Sequence, residues 1–303
     1  MNSTRPCIWP LRSLLFVPAT KLEWVTKAST GGVHGIILDL EDAVAQSAKL
    51  AARELVAQEL AILRANGVAG LVRINPLGEG GQEDLEACVT AGLDAVVVPK
   101  LSTVEEVREV HDRLSHAEGK AGLARGSVDI LALPETAQGL HDAHQLARAS
   151  SRVKSFMTCV AGPVSSDVAR AFGFNATIEG SEQLYLQGHI ILAARAGGAA
   201  FPVAAIFGTP IKDLDTVAVL ARRARQLGFS GAVVMHPTHV PIINSVFEPS
   251  DEEVAYACGL IEALEAARND GVGAITYRGA MVDAAMLPMA RQVVQEASRR
   301  RRG

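Results

Sequence analysis

The sequence predicts a (β/α)8 barrel followed by a C-terminal helical extension, and three observations carry that prediction. Apolar runs of strand length recur at intervals of about 20 to 35 residues, eight in all, each followed by a segment of helical periodicity. The runs are continuous Val, Ile and Leu rather than alternating, which is the pattern of parallel strands covered on both faces. No G-x-G-x-x-G follows the first run and no G-x-x-x-x-G-K-[ST] occurs anywhere, so an open nucleotide-binding sheet lacks its usual signals. Eight strands alternating with helices then favour closure into a barrel.

The first run is SLLFVP (13–18), and GIILDL (35–40), GLVRIN (70–75) and DAVVVPK (94–100) follow. Next come DILALPE (129–135), VKSFMTCV (153–160), AAFPVAAIF (199–207) and GAVVMHP (231–237), which complete a barrel domain over 1–245. The remainder, 246–303, is the extension. In EPSDEEVAYACGLIEALEAARNDG, Pro249, Ser250 and Asp251 supply helix-start signals and Gly271 a stop. YRGAMVDAAMLPMARQVVQEAS then turns through Gly279 into a final helix. Because the barrel is complete without it, this tail is expected to cap the barrel mouth or reach a neighbouring subunit.

Composition narrows the function classes. A net charge of -4 over 303 residues gives the body of the chain no footprint for nucleic acid or an anionic membrane. The exception is the terminal SRRRRG, read as a solvated end rather than a docking element. Cys7, Cys88, Cys159 and Cys258 form no C-x-x-C pair, which argues against a zinc knuckle or redox motif and for reduced thiols in a cytoplasmic protein. The apolar run in MNSTRPCIWPLRSLLFVP is too short and too interrupted for a membrane span.

In a parallel barrel the chemistry sits where the strands end at their C-terminal side, so polar residues at those exits are the first candidates. Strand two ends with Asp39, Glu41 and Asp42, strand three carries Arg73, and strand four ends at Lys100. Glu135 closes strand five, Asp167 follows strand six, and His236 ends strand eight. Several carboxylates on one rim raise one another's pKa unless a cation joins them. Mg2+ accepts few protein ligands and keeps its waters, so Glu135 and Asp167 form a candidate pair for it. The alternatives are a helix-N-terminal carboxylate at Glu135 and an ordinary first-turn acid at Asp167. Arg73, inside an apolar strand, either pairs with a barrel carboxylate or offers its fork to a substrate carboxylate. Lys100 reads as a Schiff-base lysine or, more simply, a salt-bridge partner, and His236 as a base or ligand or, more simply, a hydrogen-bonded rim residue.

Taken in order, RSLLFVPAT, GIILDLEDAV with Lys49 and Arg53 after it, VRINP, VVVPK, LPET, D-x-A-x-x-x-G, LGFSGAVVMHP and GAMVDAA form an ordered set. Over Arg12 to Asp283 that set resembles the citrate lyase beta-chain-like branch of the HpcH/HpaI aldolase family. The resemblance implies a Mg2+-dependent TIM barrel, trimeric or hexameric, that cleaves or forms carbon–carbon bonds in CoA thioesters such as malyl-, citramalyl- or citryl-CoA. The family's metal carboxylates fall on Glu135 and Asp167, and its keto-acid-binding arginine on Arg73. An aspartate that acts across a subunit boundary falls on Asp283. Asp42 and Glu41 would bond metal-bound water, Arg73 and Glu135 would meet the substrate, and Lys27 or Lys21 would meet a CoA phosphate.

The implied reaction is a retro-aldol cleavage of a 3-hydroxyacyl-CoA into a keto acid and an acyl-CoA. Its alternatives are a malyl-CoA-type thioesterase or free hydroxy-acid aldolase, and a non-catalytic ligand-binding or assembly subunit. The chain departs from the family's usual residues at Ala19, Gln187, Pro202 and Ala232, changes that leave the metal pair in place.

Overall fold

The computed structural model describes residues 7–300 except 161, 163 and 165, and the side chains of that range up to 298. The arginine run at 299–302 therefore lies outside the described side chains. Two compact units divide the chain, Met1–Phe247 and Glu248–Gly303, and each is described by itself.

The first unit is a closed parallel barrel whose eight strands pair in chain order and whose last strand returns to the first. The strands are β1 (Ser13–Pro18), β2 (Gly35–Asp39), β3 (Ala69–Arg73), β4 (Leu93–Pro99), β5 (Asp129–Leu133), β6 (Val153–Cys159), β7 (Val203–Ile206) and β8 (Gly231–Val234). Six of them fall within the apolar runs read from the sequence, and β3 and β4 begin one residue ahead of theirs, at Ala69 and Leu93. Helices α1 (Leu22–Ala28), α2 (Lys49–Ala65), α3 (Gly81–Cys88), α4 (Val104–Lys120), α5 (Ala137–His141) and α6 (Ala143–Ala149) lie between the first six strands. After β6 come α7 (Asp167–Phe172), α8 (Leu184–Gly197), α9 (Leu214–Leu227) and α10 (Val240–Phe247).

The continuous apolar runs are explained by two cores. Leu14, Ile37, Leu71, Val97, Leu131, Met157 and Val233 point into the barrel, while Leu15, Ile36, Val72, Val96, Ile130, Phe156 and Val234 face the helical layer. Because side chains alternate along a strand, each inward series continues at its exit. On β2 Ile37 leads to Asp39, on β3 Leu71 to Arg73, and beyond β5 Leu133 leads to Glu135. That parity brings charged side chains to the mouth.

The opposite end is filled. Trp9 is buried, its ring stacks on Phe201 at 6.3 Å between centroids, and its indole N–H donates to Asp129 at 2.8 Å. This plugs the floor where the strands begin.

In the second unit α11 (Asp251–Asn269) starts with a reciprocal cap between Ser250 and Glu253. The segment after it differs from the expectation of a simple turn. Strands β9 (Ala274–Tyr277) and β10 (Ala280–Asp283) form an antiparallel hairpin before α12 (Leu287–Arg300). Arg278 and Gly279 both take positive φ, 44° and 85°, which is what a two-residue hairpin turn requires. Leu260, Leu264, Val282 and Ala290 make this unit's own small core.

Candidate active site at the barrel mouth

Local structure aims each side chain. Asp39 and Arg73 are direct partners in the β2–β3 register, both on the inward face. The Asp39 carboxylate receives Nε–H of Arg73 at 2.7 Å and Nη2–H at 2.6 Å. It also caps the loop that follows β2, accepting the N–H groups of Glu41 at 2.9 Å and Ala43 at 3.1 Å. Below the guanidinium lies the ring of Phe16, 4.8 Å from its central carbon. Arg73 is thus already paired to a barrel carboxylate, the first of the two readings its position allowed. Its remaining edge bears Nη1, which lies 3.0 Å from Glu41 and 3.4 Å from the exposed Asp42. Burial acts to lower the Arg73 pKa, but the bonds to Asp39 and the charge of Glu41 outweigh it and the net shift is upward.

Glu41 is buried, and its second oxygen accepts from the Lys100 ammonium at 2.9 Å. Burial raises the Glu41 carboxyl above the usual range, against the pull of Arg73 and Lys100. Lys100 takes a left-handed backbone, φ 55°, where the chain leaves β4, and its ammonium also comes within 4.0 Å of Asp167. Salt bridging, rather than Schiff-base isolation, is its arrangement here. The hydrogen bond to Glu41 raises its pKa, so the ammonium form is favoured.

Glu135 answers to Pro134 on one side and Thr136 on the other. The Thr136 hydroxyl caps α5 by accepting the Gly139 N–H and pairs with Ser102 at 2.7 Å. Gly139 packs so closely on the Leu101 carbonyl that a Cβ there would collide with it. The exit is therefore rigid, yet the Glu135 carboxylate makes no hydrogen bond or ion pair among the described residues. Burial first, then the charges of Glu41 and Asp167, push its pKa up to about 7. Asp167 opens α7 behind the Ser166 cap and pairs with Arg170 at 2.7 Å. The ordinary first-turn role of Asp167 is thus real, and it coexists with a place facing Glu135 and Lys100.

A buried frame holds the rim from behind. Lys49 donates to the carbonyls of Leu40 and Glu41 and to Asn75. Asn75 in turn donates to Asp84, which is gripped by Arg53 at 2.7 Å. This is why Lys49 and Arg53 follow the β2 motif. A polar cleft of about 400 Å³ opens beside Glu41, lined by Asp42, Gln46, Lys49, Asn75, Glu79 and Lys100.

Carboxylates outnumber cations in this mouth, and Glu135 has the most to gain from a positive partner. Among the described residues no group of three or more His, Cys, Asp or Glu is placed to hold a metal ion. A divalent cation here would rest on two carboxylates plus water and ligand oxygens, which suits Mg2+. Glu135 and Asp167 fit that donor set.

The other candidates sit as follows. His236 accepts the Thr238 N–H through Nδ1 at 3.3 Å and pairs with the Thr238 hydroxyl, a rim role. Lys21 stands just before α1, its ammonium 5.5 Å from the Trp24 ring, while Lys27 is in the last turn of that helix. Gln187 is buried and donates to the Cys159 carbonyl at 3.0 Å, and Ala232 is buried on β8. Asp283, in the second unit, is exposed and caps a short turn through the Ala285 N–H. Sequence reading named Asp39 only as one acid of three; its signal was the inward parity set by Ile37. Phe16 and Asn75 were not singled out, although the same parity marks Phe16.

Comparison with known proteins agrees over nearly the whole chain. A family model described as HpcH/HpaI aldolase/citrate lyase matches residues 12–237. The citrate lyase subunit beta of Escherichia coli (strain K12) is 31% identical over 290 residues, 94% of this chain and 93% of that one. A (3S)-malyl-CoA thioesterase of Cereibacter sphaeroides (strain ATCC 17029 / ATH 2.4.9) is 32% identical over 292 residues, 95% of each chain. Among solved structures, protein CitE from Mycobacterium tuberculosis in complex with magnesium, acetoacetate and coenzyme A aligns with a TM-score of 0.73 at 28% identity, covering 96% of this chain and 100% of that chain.

Proposed function

The chain belongs to the HpcH/HpaI aldolase/citrate lyase family, and we propose that it is a Mg2+-dependent carbon–carbon lyase acting on a 3-hydroxyacyl-CoA thioester such as malyl-, citramalyl- or citryl-CoA. The observation that carries this reading is the Glu135 carboxylate, without a partner among the described residues at a rigid strand exit and pushed up to about 7 by burial and by its acidic neighbours. Glu135 and Asp167 would hold the ion. When bound, Mg2+ supplies a Lewis acid beside the oxygen that becomes a carbonyl.

The remaining steps fall to the chain itself. Arg73 receives the ligand's carboxylate on its Nη1 side and fixes its orientation. Glu41 and Asp42 would accept hydrogen bonds from water held at that site. Lys21, at the mouth end of α1, and Lys27 farther along that helix would meet CoA phosphates. Asp283 of a neighbouring subunit would take the hydroxyl proton. The carbon–carbon bond electrons then leave with the acyl-CoA fragment as an enolate, which a proton quenches, and a keto acid remains.

Incubation with Mg2+ and each of the three thioesters, followed by a keto-acid assay, tests the reading. Formation of a keto acid from any of them supports it; metal binding with no keto acid from all three overturns it. The likeness to a (3S)-malyl-CoA thioesterase favours one second reading, hydrolysis with the carbon skeleton intact, and mass spectrometry of the products separates the two.

A further inference from the structure

A guanidinium has two faces on which a carboxylate can dock with two bonds: the side formed by Nε and Nη2, and the end formed by Nη1 and Nη2. In this barrel the side is taken. Asp39, 2% exposed, fills it with bonds of 2.7 and 2.6 Å, and its oxygens are further fixed by two loop N–H groups. Phe16 seats the plane from one face at 4.8 Å. The end is held differently. Glu41 and Asp42 reach only Nη1, and the Asp42 contact is long, 3.4 Å, from a side chain 66% exposed.

We propose that Asp39 is a positioning residue that, with Phe16 beneath, locks Arg73 so that only its Nη1–Nη2 end faces the mouth, where an incoming carboxylate displaces Asp42. The proposal rests on the reading that Arg73 binds a ligand carboxylate. Asp39 itself touches no ligand. Its carboxylate neutralises the buried guanidinium and, by holding Nε and Nη2 together, removes its freedom to rotate about its own axis, so the anion meets a donor pair already aimed. Asp42 is the placeholder, exchanging a weak contact for solvent when the ligand arrives.

The test uses the full-length protein saturated with Mg2+, with pyruvate as probe and methyl pyruvate as its uncharged counterpart. In the wild-type protein, the Arg73 Nε–H resonance should be sharp and slowly exchanging by NMR. Asp39→Asn should broaden it, leave Mn2+ affinity by EPR unchanged, and weaken pyruvate binding by about tenfold or more, the scale of a charged hydrogen bond, with methyl pyruvate unaffected. Asp39→Glu should restore part of the pyruvate affinity, and Asp42→Asn should tighten pyruvate binding. Should Asp39→Asn not fold, Phe16→Leu, which loosens only the seat, should give the same selective loss in weaker form. The proposal is overturned if the wild-type Nε–H signal exchanges as fast as an exposed arginine's, or if Asp39→Asn binds pyruvate like the wild type. Wild-type protein that binds Mn2+ but not pyruvate overturns the functional reading instead, and with it the ligand-facing role of Asp39.

Discussion

Glu41 stands between two cations, one oxygen 3.0 Å from Nη1 of Arg73 and the other 2.9 Å from the Lys100 ammonium. It thereby ties the exits of β3 and β4 to the loop after β2. Its charge also reaches Glu135, where it is the largest influence after burial. Glu41→Gln should therefore lower the Glu135 pKa by about one unit, the scale of a neighbouring like charge. The midpoint of metal binding against pH, followed with Mn2+, should move to lower pH by that amount. An unmoved midpoint would refute the coupling.

If Glu135 holds the proposed ion, it sets the pH dependence of metal binding in the wild-type protein. With its pKa near 7 the carboxyl is largely protonated at pH 6, and a cation must displace that proton. Affinity should rise with pH below 7, by at most about tenfold per unit, and level off above it. Calorimetry at pH 6 in two buffers of different ionisation enthalpy should show proton release, and at pH 8 almost none.

Removing either carboxylate separates binding from folding. Glu135→Gln and Asp167→Asn should each lower Mg2+ affinity by more than about 100-fold, since losing even an outer partner of a metal ligand costs about 10- to 100-fold. Neither change should unfold the protein, because neither carboxylate is fully buried. Circular dichroism with a metal titration reads both effects. Retained affinity in both variants would place the ion elsewhere.

Glu59, on the buried face of α2, is wholly inaccessible and neither of its oxygens has a hydrogen-bond partner among the described residues. Burial pushes its pKa from 4.5 up to about 8. The folded chain then holds a proton that the unfolded chain has already lost between those values, so stability falls as pH rises across that window. The slope is at most about 1.4 kcal/mol per pH unit. Below 4.5 both states are protonated and above 8 both are ionised, so the loss is confined to the interval. Glu59→Leu should raise the melting temperature at pH 8 much more than at pH 5.

Arg152 and Glu118 form a buried bidentate pair, both contacts 2.7 Å, at the floor end of the barrel. Glu118 also accepts the N–H groups of Gly126 and Val128, binding the end of α4 to the start of β5. Arg152→Met leaves that carboxylate buried without its cation and should destabilise by about 3 to 5 kcal/mol. Replacing both partners by Met and Leu should recover most of the loss, as measured by denaturant unfolding.

The barrel was legible because each strand is buried on two faces, so its apolar run is unbroken and its length is set by the turn residues around it. The rim was legible because a charged residue ending such a run, as Glu135 and Lys100 do, has only the mouth to occupy. What could not be read was pairing. Whether Arg73 met Asp39 or a ligand depends on the β2–β3 register, which places them side by side and is not encoded in either segment alone. The β9–β10 hairpin was hidden for another reason. Its strands are four residues each and mostly exposed, so no apolar run announces them, and Arg278 is an unusual residue for a left-handed turn.

Among the described residues, the stacked rings of Trp9 and Phe201 close the barrel's floor and leave the mouth as its doorway. The two fragments of the proposed cleavage would depart past the same side chains that admitted their parent, and the smaller one could not slip out below while the larger lingers above. Under the proposed reaction traffic would then be a queue, its order set by whichever product blocks the threshold.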